Sequence, residues 1–169
     1  TVSSTVKGNI AGVVAYAGTG STIKGCTNQG NISGVGDYVG GVVASGSGVT
    51  MENCWNTGNI VNTKTPTSMS YCTGGVAGSL SSGSSATRCF NTGKVTSTIK
   101  RTGGIAGGLG GSTLNSCYNT GEIVGIFGTG GIAGAISDPS TEITDCYNLG
   151  NVTCAASPKF SDSYAKGVG

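Results

Sequence analysis

One seven-residue string, Cys-x-Asn-x-Gly-x-(Val/Ile), occurs five times, starting at Cys26, Cys54, Cys89, Cys117 and Cys146. The copies read CTNQGNI, CWNTGNI, CFNTGKV, CYNTGEI and CYNLGNV, with successive spacings of 28, 35, 28 and 29 residues. A second block lies upstream of each Cys: IAGVVA from Ile10, VGGVVA from Val39, then TGGVAG, TGGIAG and TGGIAG from Thr73, Thr102 and Thr129. Two blocks recurring in fixed order restrict the chain to a stack of like units. The long spacing falls where NTKTPTSMS (62–70) is inserted, and its Pro66 and Thr/Ser content mark a surface loop at a corner of the stack. The repeats are expected at 9–38, 39–72, 73–101, 102–128 and 129–157, with 158–169 opening a further coil. TVSSTVKG resembles the tail of an earlier copy and AKGVG the start of a later one, so the natural protein is expected to continue on both sides.

The blocks are short, rich in Val, Ile and Thr, and bounded by Gly and Asn, which reads as strands joined by turns. Three apolar positions recur in each copy. The first follows the paired glycines (Val13, Val42, Val76, Ile105, Ile132). The second sits three residues before the Cys (Ile23, Met51, Ala86, Leu114, Ile143). The third sits six after it (Ile32, Ile60, Val95, Ile123, Val152). The expected fold is therefore all-β: a β-solenoid, or parallel β-helix, of about five coils, each of ~28 residues with three short strands. Two-residue alternation through the glycine block places Ile105 inward and Gly104 and Ala106 outward. The same rule predicts a flat outer face of Gly12 and Val14, Gly41 and Val43, Gly75 and Ala77, and Gly131 and Ala133, and a close approach of another backbone layer on the glycines.

The repeated Asn (Asn28, Asn56, Asn91, Asn119, Asn148) is expected to stack as an inter-coil amide ladder. The Gly two residues later (Gly30, Gly58, Gly93, Gly121, Gly150) is expected to supply positive φ at the corner. The column Cys26, Cys54, Cys89, Cys117, Cys146 reads as small apolar side chains stacked inside the coil. Its parallel Cβ vectors do not suit a disulfide, and a line of thiols is not a zinc tetrahedron. A bridge involving Cys72 is the remaining redox alternative, and Cys154 is also outside the column. Trp55, Phe90, Tyr118 and Tyr147 follow the Cys in four copies, with Thr27 in the first. They form either a stabilising aromatic ladder or a sugar- or partner-contacting strip.

Composition removes several function classes. There is no His, so the Ser-His-Asp triad and the usual zinc ligand are missing. Nine Lys/Arg face seven Asp/Glu and are scattered, which does not make a nucleic-acid footprint. No apolar run approaches the ~20 residues of a membrane helix, so no membrane insertion is expected. Asp37, Glu52, Glu122, Asp138, Glu142, Asp145 and Asp162 occupy no fixed repeat position, and no paired-carboxylate site is visible. No catalytic residue and no cofactor is expected.

TGGIAG at Thr102 and CYNTGEI at Cys117 carry a resemblance, spanning about 10–152, to the GLUG repeat of large bacterial surface and secreted proteins, including regions flanking some IgA-cleaving metallopeptidases. The first copy departs most, with IAG for the paired glycines and Thr27 for the aromatic, so its coil is expected to be less regular. The resemblance implies an extracellular, cell-surface segment acting as a rigid stalk or attachment module, and it carries over no catalytic residue. The rival expectations are binding of a glycan or host surface protein through the aromatic strip or the 62–70 loop, and self-association through the flat Gly/Ala face into a fibre or layer.

Overall fold

A computed structural model describes residues 1–155, which form short strands joined by turns, bends and irregular segments, with no helix among them. Residues 158–169, where a further coil is expected to open, lie outside the described residues, as does Asp162. The described residues wind as a β-solenoid of five coils, spanning 9–34, 38–62, 72–97, 101–125 and 128–154. The strand Val2–Ser4 precedes them and pairs in parallel with Ile32–Gly34, stacking on the last strand of the first coil.

Each coil carries five short strands where three were expected. In the fourth they are Arg101–Gly103, Ala106–Gly110, Thr113–Asn115, Tyr118–Asn119 and Ile123–Gly125. Equivalent strands of successive coils pair in parallel, giving five sheets that run along the stack. The register sets like on like: Asn56 faces Asn91, Asn91 faces Asn119, and Ile60 faces Val95. The inserted 63–71 leaves this register untouched, because Cys72 still pairs with Tyr38 on one side and Arg101 on the other. The first coil is as regular as the rest and contributes to all five sheets.

The extra strands arise at two bends that a simple alternation misses. Gly104 and Ile105 form a bend between two strands, so Ile105 and Ala106 both turn inward. The carbonyl of Ile105 accepts from two successive N–H groups of the coil before, Val76 and Ala77, at 3.0 and 2.8 Å, a bulge-like arrangement. Val43, Ala77 and Ala106 are consequently fully buried beside Val42, Val76 and Ile105, and no flat outer Gly/Ala face exists. The expected close approach of backbone is present: a Cβ on Gly107 would lie 2.6 Å from the amide nitrogen of Thr73. The second and third apolar positions are buried as expected in the first four repeats and half-buried at Ile143 and Val152 in the last, while Val13, in the first coil, is exposed.

The second bend precedes the Cys. Gly25, Asn53, Arg88, Ser116 and Asp145 all have φ between 51° and 62°. Each coil thus has a left-handed residue here, and most have another at the corner marked by Gly20, Gly48, Ser82, Gly83 and Gly111, but none at Gly30, Gly58, Gly93, Gly121 or Gly150. Gly58, Gly93, Gly121 and Gly150 are required for space: a Cβ on Gly121 would strike the carbonyl of Gly93 in the coil before.

The interior divides into two compartments. The larger holds the cysteine column with Met51, Leu80, Leu109 and Leu114, and the smaller holds Ile10, Ile32, Val39, Ile60, Val95 and Ile123. Only Gly escapes the steric cost of the left-handed corner, so Ser116→Gly is expected to stabilise the fold by about 0.5–1 kcal/mol. A denaturant melt measures this, and a midpoint that does not rise contradicts the strain assigned to that corner.

Candidate functional site

The ordered polar and aromatic files along the stack are the chain's most regular chemical features. In the first file, each Asn amide donates one N–H to the carbonyl of the Gly two residues on, and those of Asn28, Asn56, Asn91 and Asn119 donate the other to the Oδ1 of the next coil's Asn. The inter-coil bonds Asn28 to Asn56, Asn56 to Asn91, Asn91 to Asn119 and Asn119 to Asn148 are all 2.7 Å. The local bonds to Gly58, Gly93 and Gly121 are 2.8 Å. Asn56, Asn91 and Asn119 are fully buried, and each inner amide has both protons and its oxygen engaged. A Cβ on Gly104 would lie 2.5 Å from Cγ of Asn119, so the amide fills the volume that this glycine vacates. The same pairing recurs between Gly12 and Asn28, Gly41 and Asn56, Gly75 and Asn91, and Gly131 and Asn148. The two sequence blocks are thus the two sides of one contact.

The aromatic file lies on the same strands, on their outer side. Trp55 and Phe90 stack with centroids 5.5 Å apart, Phe90 and Tyr118 at 4.9 Å, and Tyr118 and Tyr147 at 5.3 Å, with planes within 7° of parallel. Each inner ring spends both faces on its neighbours and leaves only its edge to solvent. Sugar rings stack on aromatic faces, and the file ends on two ring faces, that of Trp55 turned toward Thr27 and that of the exposed Tyr147.

All seven cysteines are free. Cys54, Cys89 and Cys117 are buried, while Cys26 and Cys146, in the end coils, are partly exposed. Cys72 stands in a different sheet, where burial pushes its thiol up to about 11. Cys154 donates to the carbonyl of Phe127 at 3.2 Å.

The inserted segment is more firmly built than a surface loop implies. Lys64 is buried; its ammonium lies 2.8 Å from Asp37 Oδ1 and 4.7 Å above the Tyr71 ring. Asn62 donates to Thr73 Oγ1 and to the carbonyl of Gly36, both at 3.0 Å, and Thr98 Oγ1 donates to the carbonyl of Lys64 at 2.8 Å. The buried lysine had no signal in a stretch of small polar residues; the ring of Tyr71 and the carboxylate of Asp37 come together only through the coil-to-coil register. Two adjoining cavities of about 340 and 320 Å³ lie beside this loop, sharing Thr5, Val35 and Thr63.

The acids stay dispersed. Lys24 lies 2.8 Å from Glu52, and its hydrogen bond is the first cause holding that carboxyl below the usual range, with Arg88 on the other oxygen. Lys94 pairs with Glu122 at 2.8 Å. Asp138 caps Ser140, whose hydroxyl donates to it at 2.7 Å. Among the described residues no three His, Cys, Asp or Glu side chains converge on a point. Comparison with protein-family models, with curated proteins and with solved structures finds no match.

Asn119→Ala removes three hydrogen bonds, two donated and one accepted, and strands the donor of Asn91, so a loss of about 1–3 kcal/mol is expected by thermal or denaturant melting; an unchanged melt refutes the ladder. All seven thiols are expected to react with a thiol reagent in denaturant, and fewer than five contradicts the unbridged column.

Proposed function

We propose that this chain is a non-enzymatic rod segment, of the GLUG-repeat kind, that spaces or attaches other parts of a bacterial surface protein outside the cell. The observation that carries the reading is where its specific chemistry points. The amides that the sequence places in every coil bond to one another and to their own corners. The rings above them stack on one another. The Lys64 ammonium is turned to Asp37 and Tyr71. Side chains that a binding or catalytic site would aim at a ligand are here aimed along the stack. Parallel in-register pairing adds length at ~4.8 Å per coil, so reach grows with copy number and no single coil is indispensable.

Two experiments test this. Excising 101–127 joins Lys100 to Gly128, the residue that pairs with Arg101, and so removes one coil without shifting the register. The shortened chain is expected to keep its β circular dichroism and cooperative melt, and to keep surface display when placed back in a full-length protein. On a glycan array, neither the parent nor Tyr118→Ala is expected to bind; a glycan held by the parent and lost in Tyr118→Ala or Trp55→Ala overturns the structural reading in favour of a glycan-contacting strip.

A further inference from the structure

The stacked coils align five sulfurs in a file whose chemistry the rod does not use. Cys26, Cys54, Cys89, Cys117 and Cys146 each turn Sγ toward the carbonyl two residues back. The distances are 3.5 Å to Lys24, 3.4 Å to Glu52, 3.4 Å to Thr87, 3.3 Å to Asn115 and 3.2 Å to Thr144. A side-chain direction repeated in every coil, in the short gap between two strands held in register, sets one sulfur above the next. The N–H groups of Cys89 and Cys117 each point at the sulfur of the following coil, at 3.4 Å.

The repeat distance then becomes a coordination distance. Parallel strands recur at ~4.8 Å, so a cation midway between two such sulfurs stands ~2.4 Å from each. That is close to the ~2.3 Å of a metal–thiolate bond. Each cation would meet one sulfur above and one below. With no three ligand side chains converging among the described residues, the tetrahedral site that zinc prefers is not offered. Two sulfurs in line suit the soft, thiophilic cations that are content with two ligands. Charge selects among them. A divalent cation that displaces both thiol protons leaves a neutral S–metal–S unit in the apolar core, whereas a monovalent one leaves a buried negative charge.

We propose that adjacent cysteines of this file bind soft divalent cations in linear two-sulfur coordination, with mercury(II) as the representative ion. Two S–H bonds break, two S–metal bonds form, two protons pass to water, and no electrons are transferred. Entry is from the ends of the file, where Cys26 and Cys146 are partly exposed and a cavity of about 560 Å³ reaches Cys146 along Ile132, Ile136 and Ile143. Five sulfurs form two separate pairs with one left over.

The test adds mercury(II) chloride to the fully reduced chain in a Cys72→Ser/Cys154→Ser background, which removes the two thiols outside the file. Two cations are expected per chain, with two protons released for each, read by titration at constant pH. X-ray absorption is expected to find two sulfurs per mercury at about 2.3 Å, the β circular dichroism is retained, and the melting temperature rises. Adding Cys89→Ala and Cys117→Ala leaves one adjacent pair, Cys26 with Cys54, and the uptake into pairs falls from two to one. One sulfur per cation, three or four sulfurs per cation, or uptake that proceeds only with loss of the β signal overturns the proposal. The coordination count on the unsubstituted chain reads the same outcomes if the double-serine background fails to fold.

Discussion

Everything in this molecule depends on how a glycine with no side chain and an asparagine with a short one share the same small volume. At Gly104 the absent Cβ is replaced by the amide of Asn119, and the same exchange recurs in each coil. The glycine lets two strands of one coil approach closely. The asparagine occupies the remaining space with a group that closes the corner through the carbonyl of Gly121 and reaches the next coil through Asn148. A larger residue at the first position collides with backbone, and an apolar one at the second leaves buried donors and acceptors unmatched. The recurrence of both blocks in fixed order follows from that single contact.

Stacking then supplies what one coil lacks. A coil contributes only a few Val, Ile or Leu side chains, each worth roughly 1.5–3 kcal/mol when fully buried, against the entropy of ordering some two dozen residues. In the central coils Val42, Met51, Ile60, Ile105 and Leu114 are fully buried because neighbours close them on both sides. In the end coils the equivalent positions Val13, Ile143 and Val152 are not fully covered. The amide file, the ring file and the parallel ladders all run along the same axis, so each added coil extends every favourable term at once. Uniform inner coils and distinct ends are the consequence.

The solenoid, its coil number, the amide ladder and the buried cysteine column were legible in the sequence because each depends only on like residues recurring at a fixed interval. The number of strands was not. Alternation with a period of two assumes an uninterrupted strand, and Gly104-Ile105 is a bend, so Ala106 and its equivalents Val43 and Ala77 turned inward and the anticipated flat face vanished. The left-handed corner was assigned to Gly121 and its equivalents for their residue type, yet it sits on Ser116 and Arg88, whose side chains give no local sign of positive φ. The aromatic strip was placed correctly on one line, but only coordinates could say that its rings lie face to face and present their edges outward. Lys64 was invisible as a buried cation because its partners, Asp37 and Tyr71, belong to different turns of the stack.

The central claim is that the five asparagine amides are one continuous hydrogen-bonded series through the stack. Nuclear magnetic resonance reads this directly, by scalar coupling across a hydrogen bond from the side-chain nitrogen of one Asn to the side-chain carbonyl carbon of the next. The account predicts a single connected series, Asn28, Asn56, Asn91, Asn119, Asn148, with slow exchange of the inner amide protons. Five uncoupled side-chain amides exchanging rapidly with water would contradict it.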